Sequence, residues 1–207
     1  MMIDFNILWR KYGIRPDGVL HVGANTGQEA DFYYNNGVKE VIWVEAHKPT
    51  FEKLVENVKN ISGSICINAC VSDKSEESIF SIANNGSQSS SLLQLGTHKE
   101  IHPEVKYIDF EIVKTDRLDN ILKDFKINGN WFLNVDIQGA DLIAMKGMGV
   151  LLHKFKWINT EVNKKEVYVG CALISEVDEY LLQFGFERKE TGDWVADSWT
   201  DAFYCKA

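Results

Sequence analysis

Apolar positions in this chain fall into short continuous runs, separated by polar stretches with helical spacing, and the alternation predicts most of the secondary structure. Phe5, Leu8, Trp9 and Tyr12 recur at helical intervals, with Asp4 placed as the N-cap and Gly13 as the stop, so a short amphipathic helix opens the chain. Val19-Leu20-His21-Val22 reads as a buried parallel strand, and Gln28 to Asn36, ended by Gly37, as the helix after it. Val41 to Val44 forms a second buried strand. Pro49 opens a third helix with the apolar stripe Phe51, Leu54, Val55 and Val58, and Ile65 to Val71 reads as a third strand. Three strand-helix units in succession predict a parallel sheet.

The rhythm breaks over residues 72–114, which hold a polar loop from Asn84 to Ser91 and an alternating strand from Tyr107 to Val113. A connection of this length is functional or disordered, and its composition alone leaves a flexible linker open. Thr115 then caps a helix through Leu122, Trp131 to Asp136 forms a fourth strand, and Ala140 to Met148 a further helix. Trp157 to Glu161 reads as the fifth strand and Cys171 to Phe184 as a helix stopped by Gly185. Two β-like runs, Phe186 to Lys189 and Ala202 to Cys205, close the chain as a hairpin across Thr191-Gly192-Asp193.

Composition narrows the class. With 207 residues, 45% hydrophobic and 25% charged, the chain suits one α/β domain with a sizeable core. Residues 1–17 read as a helical extension and 18–207 as a single domain with the inserted segment at 72–114. The net charge of −8, with no block of Lys or Arg, excludes a nucleic acid backbone as the main partner. No apolar run is long enough to span a bilayer, and Met1-Met2-Ile3-Asp4-Phe5 lacks the pattern of a signal peptide, so a cytoplasmic protein is expected. Cys66, Cys70, Cys171 and Cys205 lie in apolar segments without C-x-x-C spacing and read as reduced core thiols. The apolar surface of the first helix either covers the sheet or forms a homodimer contact.

The candidate chemistry begins at Gly23-Ala24-Asn25-Thr26-Gly27, a turn between the first strand and its helix. Glu45 follows 22 residues after Gly23, at the end of the second strand, where a carboxylate can accept hydrogen bonds from both hydroxyls of a ribose. A dinucleotide loop needs glycine at its first, third and sixth positions, and here these are Gly23, Asn25 and Gln28, which disfavours NAD and FAD. S-adenosylmethionine has a ribose and an adenine but no phosphate, and its carboxylate suits the amides of a turn at a helix N-terminus.

Ligands of open parallel sheets bind beyond the carboxyl ends of the strands. The polar residues at those ends are Asn25, Glu45, Ser72-Asp73, Asp136 and Glu161. For Ser72 and Asp73, turn formation weighs equally with contact to an adenine. Asp136, followed by Ile137-Gln138-Gly139-Ala140-Asp141, reads as a site residue, because the glycine lets the chain turn close to a ligand. Asp136 and then Glu161 are the candidates for a general base on an acceptor hydroxyl. With Asp141 they form, as a lesser reading, a carboxylate set for Mg²⁺. His98 and His102 fall in the inserted segment that could cover the cleft, His47 beside the cofactor and His153 on a surface turn, and for each of them a solvated surface role is the leading expectation.

These segments, together with Ala69-Cys70-Val71, Ser89-Ser90-Ser91-Leu92, Thr160-Glu161-Val162 and Asp201-Ala202-Phe203, resemble in order and spacing an FkbM-type S-adenosylmethionine-dependent methyltransferase, over most of the chain. The resemblance implies an α/β Rossmann-like class I methyltransferase fold, a seven-stranded mostly parallel sheet closed by a C-terminal antiparallel hairpin strand. It implies S-adenosyl-L-methionine as cofactor, held by His21, Gly23, Ala24, Asn25, Gly27, Glu45, Ala46, Ser72, Asp73 and Asp136. It also implies transfer to a hydroxyl of a small acceptor, a sugar or polyketide-like compound. One departure stands out: the family carries an acid two positions before the first loop glycine, and this chain has His21. That substitution keeps open a non-catalytic nucleoside-binding module. A metal-dependent hydrolase on the Asp136 and Glu161 edge is the remaining alternative, and it lacks a paired-histidine metal set.

Overall fold

The computed structural model describes residues 3–206, so Met1, Met2 and Ala207 of the sequence reading lie outside the described residues. Seven strands form one sheet in the order β3-β2-β1-β7-β8-β10-β9. They are β1 (Gly18–Val22), β2 (Val41–Glu45), β3 (Ser64–Asn68), β7 (Trp131–Val135), β8 (Phe155–Asn163), β9 (Phe186–Thr191) and β10 (Trp199–Lys206). Neighbours from β3 to β8 pair in parallel, while β10 runs antiparallel to both β8 and β9. The sheet is therefore mostly parallel with one reversed C-terminal hairpin strand, in the Rossmann-like arrangement the sequence implied.

Burial on both faces explains the apolar runs. Every residue of β1, β2 and β7 is buried. Leu20, Val22, Ile42, Val44, Leu133 and Val135 point to one core, and Val19, Val41, Trp43 and Phe132 to the other, as the two-residue period of a strand requires. The second core is closed by α1 (Phe5–Lys11), α2 (Ala30–Asn35) and α3 (Lys48–Val58). Asp4 caps α1 as expected, its carboxylate accepting from the amides of Asn6 and Ile7. Leu8 and Trp9 are buried on the sheet, where the Trp9 ring lies 5.6 Å from that of Phe132. Of the stripe read on α3, Leu54 and Val58 are buried, but Val55 is 39% exposed, because the helix meets the sheet along a narrower face than the spacing suggested.

Two expectations are corrected and one alternative left open is decided. The run Ile65 to Val71 is two strands: β3 ends at Asn68, whose side-chain amide donates to the carbonyls of Glu45 and Ala46, and β4 (Cys70–Val71) then turns into a second sheet. That sheet has three strands in the order β4-β6-β5, with β5 (Glu77–Ala83) and β6 (Tyr107–Asp116) forming an antiparallel pair. Segment 72–114, which also carries the short α4 (His98–Ile101), is thus structured rather than a linker. Ile108, Phe110 and Ile112 are exposed on one face of β6, while Phe80 and Ile82 of β5 are buried. Finally, Thr115 does not cap a helix. It is fully buried inside β6, its hydroxyl donating to the carbonyls of Lys74 and Glu76, and only the short α5 (Leu118–Ile121) follows.

Two helices complete the first core, α6 (Asp141–Lys146) and α7 (Ile174–Leu182). Among the described residues, no helix is long and apolar enough to cross a membrane. The corrected stripe on α3 has a measurable consequence. Leu54→Ala is expected to cost about 2–5 kcal/mol in denaturant unfolding, and Val55→Ala to stay within about 0.5 kcal/mol. Equal losses at the two positions would show that α3 seats differently.

Candidate active site

The strand order reverses between β1 and β7, so the connections leaving them go to opposite sides and open a cleft beyond their carboxyl ends. The cleft has a volume of about 660 Å³, within the range of small-molecule and cofactor sites. Its walls follow the strand order, from Glu45 on β2 through His21 on β1 and Asn134 on β7 to Glu161 on β8 and Asp201 on β10.

The floor at β1 requires glycine. Gly23 has φ +81°, and a Cβ there would lie 1.8 Å from the carbonyl oxygen of Asp136. Its amide and that of Ala24 both donate to the carbonyl of Val44, at 2.9 and 3.0 Å. The turn delivers the Asn25 amide to Glu45 Oε2 at 2.9 Å, and the His47 amide donates to Glu45 Oε1 at 2.9 Å. Each carboxylate oxygen keeps a second lone pair for a ligand. Burial pushes the Glu45 carboxyl up to about 7, against the pull of these backbone donors.

His21 lies under the cleft, 3% exposed. Its Nε2 faces the Asn134 side-chain amide at 3.2 Å and its Nδ1 the Tyr33 hydroxyl at 3.4 Å. The Asn159 amide donates in turn to Asn134 Oδ1 at 3.0 Å, so a buried polar row crosses β1, β7 and β8. Desolvation lowers the His21 pKa, outweighing the carboxylates of Glu29 and Asp136, and the ring is neutral. A neutral imidazole here can accept or donate one hydrogen bond but supplies no charge.

Beyond β7, Asp136 is exposed to the cleft, and the Gln138 amide donates to its Oδ1 at 2.6 Å. The protein packed around it raises its pKa, with Gln138 and His21 opposing. Glu161 is 6% exposed, and burial followed by repulsion from Asp136, Asp141 and Asp201 holds its carboxyl well above the usual range. Asp141 is committed to the backbone, accepting from the amides of Ile137 and Gly139 at 3.2 and 3.1 Å. Among the described residues, no group of three or more His, Cys, Asp and Glu side chains is arranged to hold a metal ion.

Of the residues read from the sequence, His21, Gly23, Asn25, Glu45, Ala46, Asp136 and Glu161 line this cleft, whereas Ala24, Gly27, Ser72 and Asp73 do not. Ala24 is in the second core, and a Cβ on Gly27 would lie 2.9 Å from Leu54, so that glycine serves helix packing. Ser72 and Asp73 bond instead to the end of β6 and the start of α5, the Ser72 amide donating to the Asp116 carbonyl and the Arg117 guanidinium to the Asp73 carbonyl. Ala69, Cys70 and Val71 line the cleft in their place. The inserted segment contributes His98, 6% exposed, with Nε2 3.4 Å from Ser89 Oγ and Nδ1 without a partner among the described residues. His102 also lines the cleft; His47 and His153 do not. Tyr168 was not foreseen. Its hydroxyl donates to Gln138 Oε1 at 2.5 Å and its ring packs where a Cβ on Gly139 would lie, so it clamps the loop after β7. Only Gly139 hinted at so close a neighbour.

Keeping Glu45 buried has a stability cost with a defined pH window. A carboxyl that titrates near 7 when folded and near 4.5 otherwise takes up a proton on folding between those values, so the penalty is absent below about pH 4.5 and complete above about pH 7. The stability gained by Glu45→Gln is therefore expected to grow as pH rises through this window, read as the difference between the two unfolding free energies. A difference independent of pH would refute the displaced pKa.

Similarity to known proteins follows this geometry. The sequence model of the Methyltransferase FkbM domain matches residues 21–188. No curated protein matches the chain. Among solved structures, methyltransferase FkbM from Methylobacillus flagellatus KT aligns at a TM-score of 0.61 and 12% identity, over 99% of this chain and 48% of that one. This chain thus spans about half the length of that relative. Magnesium protoporphyrin IX methyltransferase from Synechocystis PCC 6803, solved with bound S-adenosylmethionine, aligns at 0.52 and 11% identity, over 98% of this chain and 76% of that one. A protein of the NADB-Rossmann superfamily from Streptococcus agalactiae aligns at 0.52 and 12% identity, over 100% and 70%. At these identities the structural likeness speaks for the fold. The cofactor that family and fold together imply is S-adenosylmethionine, and a nucleoside end with a buried, backbone-held carboxylate fits it. The family match, covering most of the sequence from β1 to β9, places this chain in the methyltransferase FkbM domain family.

Proposed function

We propose that the protein is an S-adenosylmethionine-dependent O-methyltransferase acting on a hydroxyl of a sugar or another small hydroxylated acceptor. The observation that carries the reading is Glu45, a carboxylate buried at the end of β2, fixed by two backbone amides and opening its free lone pairs into a cleft of cofactor size. Glu45 binds the two ribose hydroxyls, and Gly23 leaves the backbone close to the amino acid tail. When bound, the cofactor supplies an electrophilic methyl group on a sulfonium. Everything else falls to the protein's own side chains: orienting the acceptor, excluding water and taking a proton.

Asp136 faces the cleft at the end of β7 and is the first choice for that proton, with Glu161 second. A carboxyl whose pKa is raised toward neutrality is a stronger base than an ordinary one. Asn85, Ser87, Ser89 and Ser90 of the inserted segment also line the cleft and offer neutral donors and acceptors suited to hydroxyl groups. All four cysteines are free thiols. Neutral His21, where the family has an acid, favours one second reading, a module that binds the nucleoside without turnover.

Calorimetry is expected to show binding of S-adenosylmethionine and S-adenosylhomocysteine but not NAD, and Glu45→Ala to weaken both by roughly 1.5–3 kcal/mol. Unchanged affinity in that variant would remove the ribose role. Asp136→Asn is expected to lower kcat by on the order of 100-fold or more with cofactor affinity retained. A loss confined to binding would move Asp136 to the cofactor shell, and binding without turnover in the unaltered protein would favour the module.

A further inference from the structure

With the nucleoside assigned to the β2 and β1 end, the opposite end of the cleft, over β8 and β10, is left to the acceptor. That end is lined with oxygen. Glu161 Oε1 and Asn159 Oδ1 are buried without a hydrogen-bond partner among the described residues, and each residue is 6% exposed. Two positions apart on β8, they share a face. Asp201 sits directly opposite Glu161 in the antiparallel β8-β10 ladder and adds a second carboxylate to that face. One of its oxygens accepts from the Ile3 amide at 3.1 Å. Asp136 stands on the adjoining β7 edge.

No lysine or arginine is among the residues lining the cleft. Carboxylates crowded out of water are unfavourable, and here burial pushes Asp201 up to about 6 and holds Glu161 well above the usual carboxyl range. Acceptors that cannot donate when ionised, plus an orphaned amide oxygen, are complementary to a ligand with several N–H donors and a positive charge. The aromatic residues Tyr168 and Trp199 also line the cleft, Trp199 two positions before Asp201 on β10 and Tyr168 close enough to Glu161 to feel its charge, and they suit a cation.

We propose that the β8-β10 end of the cleft is an ammonium site, and that the acceptor is a hydroxylated amine, of the amino sugar or amino alcohol class, whose –NH₃⁺ docks among Glu161, Asn159 and Asp201. The proposal rests on the methyltransferase reading and deepens it. An ammonium has no lone pair, so it anchors the acceptor instead of being methylated. The neighbouring hydroxyl then forms the new O–C bond, losing its proton to Asp136 while the electron pair of the broken C–S bond stays with sulfur. Glu161 is thereby an anchor, and the base is Asp136.

The test is calorimetric titration of the full chain, saturated with S-adenosylhomocysteine near neutral pH, with D-glucosamine, N-acetyl-D-glucosamine and D-glucose. The unaltered protein is expected to bind the free amine at least about tenfold more tightly than either neutral sugar. Glu161→Gln should bring that preference to within about twofold while leaving S-adenosylhomocysteine affinity unchanged, which also certifies the variant's fold. Asp201→Asn, a second isosteric change, should lower the preference in the same direction. Equal binding of the three sugars, or no binding of the amine by a protein that binds S-adenosylhomocysteine, overturns the ammonium site. So does a Glu161→Gln variant that weakens S-adenosylhomocysteine as much as the amine, because the cofactor's own amino group would then be the occupant. Failure of the unaltered protein to bind S-adenosylhomocysteine at all is a separate result, which overturns the methyltransferase reading itself.

Discussion

The reversal of strand order between β1 and β7 is the constraint on which the rest of the structure depends. Parallel strands joined by right-handed connections leave a gap only where the order reverses, and both strands bring their loops to that one gap. The loops meet so closely that Gly23 packs its Cα against the Asp136 carbonyl, where no side chain fits. Once this contact is fixed, Asn25 is delivered to Glu45, the loop after β7 reaches Tyr168, and the inserted segment has a rim to close over. Ser91 Oγ donating to the Gln138 carbonyl at 2.8 Å is the point where that segment is fastened to the loop.

The cleft concentrates groups that are unfavourable in the free protein. Glu45, Glu161 and Asp201 all hold protons to higher pH than ordinary carboxyls, and in each case the first cause is burial. Hydrophobic cores on either side of the sheet supply the stability that lets the chain keep them. His98 shows the same pressure in the opposite direction, its pKa lowered by burial and by His102. The pattern is that of a site prepared for charge that arrives with a ligand.

Much of this architecture was legible because the relevant signals are local. A buried strand, a glycine turn and a polar strand-end residue lie within a few residues of one another around Gly23 and Asn25 and again around Asp136 and Gly139, and the apolar runs of β1, β2 and β7 mark their own ends. Segment 72–114 was less legible, because β6 is held by pairing with β5 on one side and β4 on the other, across separations that no local window sees. Thr115 resembled a helix cap for the same reason: its hydroxyl is used by carbonyls 39 and 41 residues away. Tyr168 comes to the cleft from a loop and Trp199 from the first residue of β10, with no periodicity to announce them. Asn134 and Asn159 were hidden inside runs read simply as buried strands.

Those two asparagines and His21 have a further consequence. Strands that are apolar on both faces lack the inside-outside alternation that tells a half-buried strand where to pair, so sliding β7 along β1 would cost little in burial. The row His21-Asn134-Asn159 removes that freedom. His21 faces Asn134, and Asn134 faces Asn159, in the observed ladders, and any slipped alignment leaves buried amides and an imidazole opposite hydrocarbon. A row of polar side chains beneath the cleft thus acts as a key for the centre of the sheet, aligning the strand ends whose carboxylates form the site.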